Sequence, residues 1–432
     1  MSLEPRADQK AAIERIIRAD HGRLLATLIR WVGDFDAAED ALAAAYEAAL
    51  RQWPAGGLPD NARAWLLRAA RNKAIDERRR TSTAALRGGE LVAGIEATTP
   101  GPDESDTQVV ADDLLRLVFT CCHPALALES QVALTLRTVA GLSTEEIARA
   151  FLLPPATLAQ RLVRAKGKIK GAAIPYRVPD EVDLPERLDA VMTVIYLVFN
   201  EGYAATSGGS LLRQSLAAEA IRLGRLLVEL KPGTPEPRAL LALMLLHDAR
   251  RSARVARDGA LVVLDEQDRQ RWDQDQIREG LELVEQALRA GGGGAYTVQA
   301  AIAATHARAA TAADTDWRQI VGLYARLFRI SPSPVVMLNH AVAVAMSDGP
   351  AAGLPLVEQL KVAGVLPGYH LLEAARADLL RRLGRTTEAA AAYREALVLA
   401  GNEPERRFLL RRLSEVDHES FAGGLKGEAE KG

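Results

Sequence analysis

The chain has 432 residues, too many for one ordinary core, so two or three domains are expected. Its apolar share of 48% is that of a globular protein, and aromatics make up only 5%, which favours helices over sheets. The formal charge of −2 excludes a uniformly basic nucleic-acid binder, but charge is segregated along the chain.

From about residue 7 to 80 the pattern is helical, broken at "WPAGGLPDN" (53–61), where Pro and Gly end one helix and space the next. The helix before the break is acidic: residues 31–50 carry Asp34, Asp36, Glu39, Asp40 and Glu47 with no Lys or Arg. The one after it is basic: residues 61–80 carry seven bases against Asp76 and Glu77, a net of +5. Opposite charges this close in sequence point to separate partners for separate faces. Residues 81–108 are rich in Ser, Thr, Gly, Pro and acid with no sustained period, which reads as a linker.

Residues 109–172 form the next helical unit. "TCCH" (120–123) contains the two cysteines of the chain, Cys121 and Cys122. Adjacent cysteines cannot staple a secreted fold, which favours a reducing compartment, and consecutive ligands converge poorly on one ion. We therefore read them as buried residues at a helix start and expect no metal and no cofactor. Ser143 and Glu146 make a capping box, Gly141 ends the preceding helix, and Pro154-Pro155 makes a turn. In the helix beyond it, Leu158, Leu162, Ala165 and Ile169 form an apolar stripe. Thr157, Gln160, Arg161, Arg164 and Lys168 fall on a different face. That pattern is a helix-turn-helix: one face packs, and the other offers donors to phosphates and base edges in a major groove. A solvated basic helix has the same local pattern, so this segment needs support from elsewhere in the chain.

The support lies upstream. "GDFDAAEDALAAAYEAALRQWP" (33–54), a Gly/Pro loop and "NARAWLLRAARNKAIDERRR" (61–80) together resemble region two of bacterial sigma factors of the extracytoplasmic-function (ECF) type. The helix-turn-helix then resembles region four, which follows a flexible linker in that family. "DDLLRLVFTCCHPAL" (112–126), "ATLAQRLVRAKGKI" (156–169) and "IPYRVP" (174–179), followed by a helical tail, are similar to the ECF group with a fused tetratricopeptide-like domain. The resemblance implies a sigma factor whose partners are core RNA polymerase and promoter DNA. It places polymerase binding on Asp36, Glu39, Asp40 and Tyr46, although the family commonly has Gln at the position of Ala43. Downstream promoter contact would fall to Arg68, Arg71, Asn72, Lys73, Asp76, Arg79 and Arg80, with Asp76 pairing Arg79 or Arg80. Trp65 reads as a packing residue. Upstream contact would fall to the helix-turn-helix face. The alternative is a helix-turn-helix regulator with a repeat sensor domain that never joins polymerase.

Residues 183–417 are helical again, punctuated at 231–237, 291–294, 331–334 and 401–404. Ala377, Leu380, Gly384, Ala389, Tyr393 and Ala396 have tetratricopeptide spacing, and 333–360 reads as a degenerate preceding pair. Such arrays present a concave face to a peptide or protein segment. Within "VIYLVFNEGYAATSG" (194–208), Tyr196 and Phe199 read as core, and Asn200, Glu201 and Tyr203 are candidates to line a site. No nucleophile motif appears, and "GGGG" (291–294) lacks the strand that a phosphate loop requires, so no enzyme is expected. Residues 418–432 read as a disordered tail. The longest apolar run, 190–199, falls short of the roughly 20 residues a membrane span needs. The expectation is an all-α, cytoplasmic protein that does not engage a membrane.

Overall fold

The computed structural model describes residues 4–88, 107–151, 153–204, 211–254, 256, 261–401 and 403–429. Among them the chain is all-α, as expected, without a strand, and it divides into two compact units, Met1–Val198 and Phe199–Gly432. No described helix is long and apolar enough to cross a membrane.

The first unit begins with α1 (Glu4–Val32), α2 (Phe35–Gly56) and α3 (Ala62–Gly88). Asp34 caps α2, its carboxylate accepting from the amides of Asp36 and Ala37 at 3.0 Å each. These bonds, the Ala37 one foremost, hold its pKa below the usual carboxylate range against the opposing effect of burial. Asn61 does the same for α3 through the amide of Ala64 at 3.0 Å. Trp53 and Trp65 meet edge to face at 5.4 Å, pinning the two ends of the intervening loop and bearing out the packing role of Trp65. The basic helix outruns its expected end: residues 81–88, read as linker, continue α3 to Gly88, in keeping with the helix formers Ala84, Ala85 and Leu86. The remainder of the expected linker, 89–106, lies outside the described residues.

Then come α4 (Thr107–Cys121), α5 (Leu128–Thr138), α6 (Thr144–Ala150) and α7 (Pro155–Gly171). The capping box forms in full: Ser143 N donates to Glu146 Oε2 at 2.7 Å, and Glu146 N donates to Ser143 Oγ at 3.1 Å. Helix α7 starts on Pro155 with Pro154 as a cap residue that offers no side-chain bond. Gly141 takes φ +71°, and a Cβ there would lie 2.9 Å from the His21 ring, so glycine serves both the turn and the approach of α1.

Cys121 and Cys122 close α4 instead of opening a helix. Both are buried, with Sγ atoms 3.0 and 3.4 Å from the hydroxyls of Thr138 and Thr135. Burial raises both thiol pKa values, that of Cys122 to about 11. No cluster of metal-ligating side chains occurs among the described residues.

Helix α8 (Leu184–Ala204) carries the boundary between the units. Its first half belongs to the first: Val191, Met192, Val194 and Ile195 are buried, and Arg187 Nη2 donates to the Phe119 carbonyl at 2.5 Å.

In the second unit, α9 (Leu211–Leu230), α11 (Gln274–Arg289) and α12 (Ala295–Arg308) surround α10 (Pro235–Asp248), which is buried continuously from Ala239 to Leu246. Three single-turn 3-10 helices, at 251–253, 264–266 and 269–271, lie between α10 and α11, and the periodicity did not reveal them. Gly291 ends α11 with φ +80°. Gly294 lets the Glu236 carboxylate accept from its own amide and that of Tyr296, at 3.1 Å each, so the start of α12 already has its anion.

Beyond it, α13 (Trp317–Ile330), α14 (Pro334–Asp348), α15 (Pro350–Ala363), α16 (His370–Arg382), α17 (Thr386–Leu399) and α18 (Glu403–Ala429) each pack on their chain neighbours, the pattern of a helical repeat array. Ala377, Leu380, Ala389, Tyr393 and Ala396 are all buried, and Gly384 turns at φ +73°, as the spacing implies. The tail expected to be disordered continues α18 as far as Ala429, and residues 430–432 lie outside the described residues.

Candidate polymerase and DNA interface

Helix α7 divides its residues as its pattern predicts. Leu158, Leu162, Ala165 and Ile169 are buried. Thr157, Gln160, Arg164 and Lys168 are exposed on another face, and Arg161 is half-buried beside them. These groups bond to no acid among the described residues, so the charges of Arg161, Arg164 and Lys168 are left unpaired there.

On α3, Arg68, Asn72, Asp76 and Arg79 are exposed. Arg71 lies over the Trp31 ring, 5.3 Å from its centroid, and Lys73 pairs with Glu77 at 3.4 Å. Those contacts hold two of the seven nominated groups at the helix surface without burying them. The Arg80 side chain lies outside the described residues.

Helix α2 separates its four nominated residues. Asp36 and Asp40 are exposed and Glu39 is half-buried. Tyr46 lies on the Glu39 side of the helix and is half-buried: its hydroxyl meets His21 Nδ1 at 3.0 Å, and burial pushes its pKa well above the phenol range. It thereby ties α2 to α1.

The structure also brings together residues that sequence reading missed. Lys166 Nζ donates to Asp36 Oδ1 and to Glu39 Oε2, each at 2.8 Å, and Lys170 lies 3.5 Å from Asp34. Burial opposes the charge on Lys166, but the two carboxylates more than offset it and leave its pKa above the usual lysine value. Tyr176 supports the same contact, donating to the Ala26 carbonyl at 3.0 Å and meeting Phe35 edge to face at 6.3 Å. Alongside, Asp113 is fully buried and salt-bridged to Arg30 at 2.7 Å and Arg116 at 2.9 Å, tying α4 to α1. Burial raises its pKa, against the lowering effect of both arginines. A cavity of about 680 Å³ opens beside these contacts, lined by Arg30, Asp36, Lys166 and Tyr176. The signal for Lys166 in the sequence is slight: it is a basic residue of α7 that lies off the DNA face.

Comparison with known families agrees with this division. Residues 16–83, spanning most of α1 and all of α2 with most of α3, match Sigma-70 region 2, and residues 116–169 match Sigma-70, region 4. The chain belongs to the sigma-70 family. Sigma-70 regions 2 and 4 bind core RNA polymerase and promoter DNA, and their families are transcription initiation factors, not enzymes. Residues 187–288 of this sigma factor match a family of unknown function. An uncharacterized protein of Rhizobium meliloti (strain 1021) is 44% identical over 409 residues, which cover 94% of this chain and 96% of that protein. The crystal structure of yeast Tom70 aligns with 97% of this sigma factor and 86% of its own chain. Its TM-score of 0.35 and identity of 11% make that likeness too distant to carry an argument.

Proposed function

We propose that the chain is an ECF-type sigma factor that docks on core polymerase through α2, melts and holds the downstream promoter element with α3, and reads the upstream element with α7. The observation that carries this reading is the pairing of an acidic helix with an exposed basic helix in the same unit as a helix-turn-helix. A regulator that never joins polymerase has no use for the first two. The ECF assignment rests on the short connection: residues 84–115 separate the two matched regions, leaving no room for another sigma domain.

We further propose that Asp36, Glu39 and Asp40 form the polymerase-docking set, and that Lys166 covers the first two until polymerase competes for them. The second unit acts on the sigma module as a fused controller, its helical array taking a peptide or protein segment. The charge pattern and the repeat-like packing support these assignments.

Run-off transcription with sigma-free core polymerase on candidate promoters tests the reading. The expected result is a promoter-specific transcript that depends on Arg164 and Asn72. Its absence, with full-length protein and with a chain ended after residue 204, would overturn the sigma function. The chain must not be cut near residue 180, because the first half of α8 completes the first unit.

A further inference from the structure

The second unit holds a group of arginines that form no salt bridge among the described residues. Tyr203, near the end of α8, meets the end of α10 and the turn that follows. Arg254 lies over the Tyr203 ring, its guanidinium carbon 3.7 Å from the centroid, and its Nη1 donates to the Tyr203 carbonyl at 2.9 Å. Arg250 Nη2 donates to the Tyr203 hydroxyl at 3.3 Å and meets His247 Nδ1 at 2.8 Å. On the other side, the Trp272 ring has Arg269 at 4.7 Å and Arg250 at 6.0 Å from its centroid. Arg269 Nη1 donates to the carbonyls of His306 and Ala309, at 2.6 and 2.7 Å.

None of these three arginines forms an ion pair among the described residues. The acids around them are engaged elsewhere or stand off. Asp248 is salt-bridged to Arg251, and Glu405 lies 3.1 Å from His370. Asp265 and Asp314 act on Arg269 only at longer range. Burial lowers the pKa of Arg254 and of Arg269 and the charge of Arg250 adds to it; Tyr203 and Glu405 oppose this at Arg254, and Asp265 and Asp314 at Arg269, but only in part. The two histidines are kept neutral by burial and by the same arginines, His306 with its pKa pushed down to about 4.

The hydrogen-bond inventory agrees. Arg250 Nε, Arg269 Nε and Trp272 Nε1 are buried donors with no acceptor among the described residues. Each such donor is costly to leave unpaired, and more so when charged. Packing alone does not explain three of them in one place. Guanidinium forks with free donors are the usual receptors for carboxylate and phosphate. His306, whose carbonyl accepts from Arg269, also lines a neighbouring groove of about 720 Å³ together with Trp317, Tyr324 and Tyr369.

We propose that Arg250, Arg254 and Arg269, set around Tyr203 and Trp272, bind a small oxyanion ligand bearing a phosphate or a carboxylate. The site lies inside the region that matches a family of unknown function, and it holds whether or not the chain initiates transcription.

The test is isothermal titration of the full-length protein with inorganic phosphate, citrate and chloride at matched ionic strength. Melting temperature is the wrong readout, because phosphate stabilises proteins non-specifically. Saturable 1:1 binding of phosphate or citrate, with none for chloride, is expected. Phosphate alone marks a phosphate ligand, citrate alone a carboxylate, and both a shared oxyanion site. Arg254→Gln should weaken binding by about ten-fold or more, and Arg250→Gln likewise. Arg225→Gln, at an arginine salt-bridged to Glu279, should not change it. Should the glutamine variants fail to fold, Arg254→Lys, which keeps the charge but loses the fork, should still weaken binding. No heat beyond that of chloride, or equal affinity in the wild type and the Arg250 and Arg254 variants, overturns the site.

Discussion

Replacing Lys166 by alanine removes the ammonium that holds α7 against α2, and the structure sets the size of the effect. Glu39 and Lys166 are 19% and 16% exposed, so their bond is well shielded, whereas Asp36 is 73% exposed and its share is small. A charge-assisted hydrogen bond contributes about 1.5–3 kcal/mol when buried, and partial exposure reduces this one to about 1–2 kcal/mol. Glu39 Oε1 is already buried without a partner, so loss of Lys166 leaves that carboxylate with no donor from α7. The ratio of closed to open first units should then fall roughly 5–30-fold. Dyes on cysteines placed at the exposed positions Glu47 and Ala159 would report the change as a loss of energy transfer. Core polymerase should bind the variant more tightly, because less of the docking face is covered. Wild-type transfer efficiency together with wild-type polymerase affinity would mean that Lys166 neither holds α7 on α2 nor covers the docking face.

Other substitutions test separate parts of the account. Arg164→Ala should weaken upstream-element binding and reduce the log–log salt slope by about 0.9, read by titrating duplex DNA at several salt concentrations. Gly141→Ala should destabilise the first unit by about 1–2 kcal/mol through its left-handed φ, and by more through contact with His21, as seen in urea unfolding. Ser143→Ala should cost about 1 kcal/mol by uncapping α6 and should weaken DNA binding indirectly. Burial first, then Arg250 and Arg269, lowers the pKa of His306 to about 4 from an unfolded value of 6.5. The unfolded chain therefore binds the extra proton first, so stability is full above pH 6.5 and falls as pH drops towards 4. The loss is about 3 kcal/mol at most, and His306→Gln should flatten the acid limb of the unfolding profile.

What could be read from the sequence was local. Ser143 and Glu146 sit three residues apart, and the stripe Leu158, Leu162, Ala165 and Ile169 keeps one helical period, so neither depends on tertiary structure. The small residues from Ala377 to Ala396 were legible for the same reason. Contacts across long separations were not. Lys166 reaches Glu39 over 127 residues, and nothing in the spacing of α7 names that partner. Arg254 reaches Tyr203 over 51 residues, from the far side of two intervening helices, and no helical period names that partner. The acidic and basic faces were legible as charge, while Lys166 closing one of them depends on how α7 packs.

The paired cysteines at the end of α4 have a practical consequence. Their thiols are 0% and 1% exposed and bonded to Thr138 and Thr135, so a thiol reagent reaches them only when that part of the first unit opens. Reaction of the unmodified protein with such a reagent, slow relative to reclosing, measures the fraction of molecules in which the sigma module is open. The same shielding leaves cysteines introduced at the surface as the ones that label quickly. The chain thus carries its own gauge of opening, which can be read without any polymerase or promoter.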